Sequence, residues 1–80
     1  NAPLEVALDG KGNIFVGESK VSMDRMREML STIALEAPDR RVYIKADKGL
    51  DYGRVMEVMA AVNQSGFTKI ALITDPSGRK

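Results

Sequence analysis

The chain contains no cysteine and no histidine. Without cysteine there is no disulfide framework and no thiolate zinc site. Without histidine the usual general base near neutral pH and the commonest metal ligand are both missing. Tryptophan is absent too, and the aromatics are only two tyrosines and two phenylalanines. No segment approaches the roughly 18–20 apolar residues of a membrane span, and no signal peptide is visible. Charge of one sign is also lacking, since 12 basic residues face 11 acidic ones. A nucleic-acid binder wants a basic stripe, and the densest basic cluster here is Arg40-Arg41. The first residues, Asn1-Ala2-Pro3, carry no initiator methionine, so an excised piece of a longer protein is expected.

What is present suffices for a fold. Eighty residues predict one domain over 1–80, and 44% of them are hydrophobic. A chain of this size buries only about 60–65% of its unfolded surface, so self-association would supplement its stability. Leu4–Leu8 alternates as a half-buried strand, and residues 9–13, DGKGN, form a turn before a return strand over 13–16. The Gly10-x-Gly12 pair lacks the third glycine and the following helix of a phosphate loop, so a hairpin turn is the expectation.

Ser22 is placed as the N-cap of a first helix, with Met23, Met26, Leu30, Ile33, Ala34 and Ala37 on one stripe. Pro38 and Asp39 stop it. Residues 41–46, RVYIKA, alternate again with Val42, Ile44 and Ala46 inward. A second helix is expected from about Tyr52 to Gln64, with Tyr52, Val55, Met56, Met59, Val62 and Asn63 on one face and Val58 at its border. Gly66 sits where a left-handed C-terminal cap is wanted. Residues 68–74, TKIALIT, form the last strand, and 75–80 form a flexible polar tail. The predicted fold is α+β in two layers, a ββαβαβ mixed sheet with two helices on one face, each parallel crossover right-handed.

Asp47, Lys48, Asp51, Tyr52 and Arg54 are crowded within residues 47–54. Two carboxylates could act as acid and base if burial drove their pKa values apart. In a short polar loop both stay hydrated, and neither a nucleophile motif nor a ligand cluster accompanies them. Asp51 is instead expected to cap the second helix, with its charge at the positive end of the helix dipole. No catalytic residue, cofactor site or metal site is assigned. The methionines at helical spacing fit core packing better than an adaptable groove. If both helices cover one face, the other carries Phe15, Tyr43, Ala71 and Ile73, a partly apolar surface that suits a partner or a second copy.

Residues 44–74, IKADKGLDYGRVMEVMAAVNQSGFTKIALIT, resemble the core signature of the ExbD/TolR family. The matching positions are Lys45, Ala46, Asp47, Tyr52, Gly53, Val55, Val58, Met59, Gly66, Phe67, Lys69, Ile70, Ala71 and Leu72. Residues 3–16 and 21–44 are similar to the family's opening hairpin, helix and strand. The 51–59 and 65–67 stretches look slightly more TolR-like than ExbD-like.

The resemblance implies the periplasmic domain of an inner-membrane subunit of a proton-motive-force-driven motor, not an enzyme. It implies a homodimer, an ExbB/TolQ-type membrane partner, a TonB/TolA-type transducer and, on the TolR side, contact with peptidoglycan, with no nucleic acid and no cofactor. The family's proton-carrying aspartate lies in a membrane helix, so neither Asp47 nor Asp51 inherits that role. An interface at Tyr43, Ala71 and Ile73 is expected through addition of a strand to the last one. The rival readings are a small ligand-binding domain and an RNA-binding ferredoxin-like domain.

Overall fold

The computed structural model describes residues 2–74; the tail expected at 75–80 lies outside them. The chain runs β1 (Leu4–Leu8), β2 (Ile14–Val16), β3 (Ser19–Val21), α1 (Met23–Glu36), β4 (Arg41–Ala46), α2 (Tyr52–Gln64) and β5 (Lys69–Thr74). One mixed sheet takes the order β3-β2-β1-β4-β5. The β1–β2 and β2–β3 pairs are antiparallel, and β1–β4 and β4–β5 are parallel. The fold is α+β, as its alternating and helix-periodic segments predict.

The sequence reading missed β3. Val16 and Ser19 pair across a two-residue turn, Gly17-Glu18, in which Gly17 has φ +62° and no other residue has positive φ. A positive φ confined to the first turn residue is the type II′ pattern, whose twist suits a hairpin. A strand of three residues that turns only Val21 toward the core leaves too little alternation to detect.

Strand pleating sends alternate side chains to opposite faces. Val6, Leu8, Ile14, Val16, Val42, Ile44 and Ala46 turn to one face and are buried. Met26, Leu30 and Ala34 of α1 and Val55, Val58, Ala61 and Val62 of α2 close over them, and Phe67 completes the core. Among the methionines, Met26 is fully buried, and Met23, Met29 and Met59 pack partly buried against the core.

The apolar face of α2 is rotated from the expected one. Val58 is at its centre and fully buried, whereas Tyr52 is 67% exposed and Met56 43% exposed. The small residue Ala61, fully buried, completes the true stripe.

The helix ends follow local chemistry. At α1 the Ser22 hydroxyl accepts from the Arg25 amide at 3.1 Å. At the end of α2, Gly66 has φ +118° and its amide donates to the Asn63 carbonyl at 3.2 Å. A Cβ there would come within 3.2 Å of the Ala34 methyl, so Gly66 also sets how closely the two helices meet.

Candidate interaction surface and the strand-to-helix junction

The polar cluster at 47–54 is engaged in building the junction between β4 and α2. The Asp47 amide donates to the Leu8 carbonyl at 3.0 Å, extending the β1–β4 ladder by one bond. Its carboxylate accepts from the Gly49 amide at 3.0 Å, and its carbonyl accepts from the Leu50 amide. This is an Asx turn.

Asp51 stands at the N-cap position of α2, but its side chain makes no capping hydrogen bond. The reason is local. The Arg54 amide, which a capping carboxylate would take, already donates to the Asp51 backbone carbonyl at 3.0 Å. The carboxylate lies over Gly53 instead, with Oδ2 3.0 Å from where a Gly53 Cβ would stand. The expected side-chain cap is therefore corrected to a charge placed near the helix N-terminus.

Arg54 makes a tie that spacing within the segment does not reveal. Its guanidinium donates to the Gly12 carbonyl through Nη2 at 3.1 Å and Nε at 3.4 Å, and it pairs with Glu57 at 3.2 Å. The β1–β2 turn is thus fastened to the first turn of α2 across 42 positions of chain. That turn is itself closed by Asp9, whose carboxylate accepts from the amides of Lys11 and Asn13 and from the Asn13 side chain. These bonds, the Asn13 side chain first, hold the Asp9 carboxyl below its ordinary value of 3.8. No group of three or more acidic side chains converges as a metal site among the described residues. Gly12 has φ +86°, as a hairpin turn requires, and no helix follows it.

The second feature is the sheet face that carries no helix. Phe15 and Tyr43 are half-buried on it, and Ala71 and Ile73 are exposed, Ile73 by 40%. Tyr43 stands beside Ala71, and Ile73 beside Lys45. The strand carrying Ala71 and Ile73, β5, is an outer strand of the sheet, paired with β4 alone among the described residues. At the α1–β4 end of this face a cleft of about 520 Å³ lies between Pro3, Pro38, Asp39, Arg41 and Tyr43. No helix of the described residues is long and apolar enough to cross a membrane.

Comparison with known proteins places this arrangement. The chain is 33% identical over 72 residues to the biopolymer transport protein ExbD of Pseudomonas aeruginosa, covering 90% of this chain and 54% of the relative. It is 36% identical over 58 residues to the Tol-Pal system protein TolR of the same organism, covering 72% and 40%. It is 26% identical over 77 residues to ExbD of Escherichia coli K12, covering 96% and 55%. The chain thus spans about half the length of the ExbD relatives and less of TolR. The family model for the biopolymer transport protein ExbD/TolR matches residues 1–77, and the chain belongs to that family.

Proposed function

We propose that this chain is the periplasmic, non-enzymatic interaction domain of an inner-membrane subunit of a proton-motive-force-driven motor. In this reading it dimerises and links an ExbB/TolQ-type membrane subunit to a TonB/TolA-type transducer, with peptidoglycan as a further contact. The family supports the transport role, because its members carry transport and Tol-Pal names. Relatives of both names match, so the TolR leaning rests on residues 51–59 and 65–67 alone.

The observation that carries the reading is the outer position of β5. An outer strand offers unpaired amides and carbonyls to a second chain, and added strands gain affinity from backbone bonds and selectivity from alternate side chains. Ile73 and Ala71 stand on β5 and Tyr43 beside them, so this corner of the sheet is the proposed seam. Ile73→Lys puts a charge into it while leaving the helix-covered core untouched. The variant should keep its far-UV spectrum and lose self-association in sedimentation over a range of concentration. Unchanged association with intact folding would remove β5 from the interface.

A further inference from the structure

Charge is unevenly divided between the two layers. The helices carry Asp24, Glu28, Glu36 and Glu57 against Arg25, Arg27 and Arg54. The two ion pairs found among the described residues, Arg25–Glu28 and Arg54–Glu57, are both there. The helix-free sheet face is different. Its outward strand positions hold Lys20, Arg41, Lys45 and Lys69, all exposed, against the single carboxylate of Glu5. The register places Lys20, Phe15, Ala7, Lys45 and Ile73 in one row across all five strands. The next row holds Glu5, Tyr43 and Ala71. A chain with net charge +1 thus presents one face on which cations outnumber anions and stand among apolar groups.

Guarding a sheet edge explains lysine on an outer strand, which covers Lys20 and Lys69. It does not explain Lys45, which sits on β4 between β1 and β5. A second copy stacked face to face would bring two cation-rich faces together, a like-charge juxtaposition that suppresses association. A nucleic-acid strand carries a phosphate at every step, and Glu5 stands in the middle of the face where that strand would run.

We infer that this face binds an acidic polypeptide segment, whose carboxylates meet Lys20 and Lys45 and whose aliphatic side chains lie on Phe15, Ala7 and Tyr43. The lysine stems extend the apolar surface while their ammonium groups stay at its rim. The site meets the proposed seam at Tyr43, but Lys20, Phe15, Ala7 and Lys45 lie on β1–β4 and need no bond to the β5 edge.

The test is an amide NMR titration of the chain with three probes. These are a short blocked peptide alternating glutamate and leucine, the same peptide with lysine for glutamate, and oligothymidylate. The expected result is saturable shifts at Phe15, Lys20, Tyr43 and Lys45 with the acidic peptide, weakened by added salt and absent with the basic one. The double change Lys20→Glu and Lys45→Glu, at two exposed positions, should weaken that binding on the order of tenfold or more. Shifts confined to β5 would show strand addition at the edge instead and overturn the face assignment. So would tighter binding of oligothymidylate, or absence of binding by the acidic peptide.

Discussion

At the scale of single residues, the two helix caps separate by mechanism. Ser22 makes its capping bond, so Ser22→Ala should cost about 1 kcal/mol. Asp51 makes none, and only its charge near the α2 N-terminus remains to be lost. Asp51→Ala should cost about 0.3–1 kcal/mol, fading as salt is added, and Asp51→Asn should cost as much as alanine does. Urea midpoints at low and high salt check this. A salt-independent loss restored by asparagine would return the capping bond to Asp51. Asp9 gives a pH prediction. Its folded-state carboxyl lies below 3.8, held there by Asn13 and the turn amides, so in acid the unfolded chain binds more protons. Its contribution is therefore fully present above that ordinary value and is lost as pH falls through the lowered folded one. Asp9→Asn keeps an oxygen for the turn amides but cannot titrate. Its urea midpoint should fall less steeply than the parent's between about pH 5 and pH 2; parallel slopes would exclude this carboxylate as a source of acid sensitivity.

At the scale of elements, the sequence is most informative where a segment is long and its pattern unambiguous. Leu4–Leu8, Arg41–Ala46 and Tyr52–Gln64 fall where alternation, helical spacing and turn residues place them. The facing of α2 was less legible. Residues 52–63 contain two overlapping stripes at helical spacing, one through Tyr52, Met56 and Met59 and one through Val55, Val58 and Ala61. Side-chain size favours the first, and the fold buries the second. The consequence is measurable. Tyr52→Gln and Met56→Gln should each change stability by within about 0.5 kcal/mol. Val58→Ala, at a position with no exposure, should cost about 2 kcal/mol. Chemical denaturation of the three variants would decide it, and comparable losses would put Tyr52 and Met56 back in the core. The junction at 47–54 was legible as a turn and a helix start. The tie from Arg54 to Gly12 was not, because spacing within one segment says nothing about which distant carbonyl a guanidinium will reach.

At the scale of the whole molecule, the element order was readable but the lateral order of strands was not fully so, since β3 adds an outer strand beyond β2 and leaves β1 at the centre. That central position has a mechanical meaning. β1, β4 and β5 run parallel, so the start of β1 and the end of β5 lie at opposite ends of the sheet. Tension entering near residue 3 and leaving near residue 73 slides the strands along one another and strains every bond of both parallel ladders together. Tension between residues 3 and 41, at neighbouring strand starts, peels the β1–β4 ladder bond by bond. Because the chain has no native thiol, the pairs Pro3→Cys with Ile73→Cys and Pro3→Cys with Arg41→Cys can serve as unique handles for single-molecule pulling. Forced rupture reports the height of the unfolding barrier along the chosen direction, and the first pair should break at the clearly higher force. Equal forces would mean that the parallel ladders offer no particular resistance. A domain so built is stiff along its strands and weak across them, which makes the direction of a pull, as much as its size, decide whether the fold survives it.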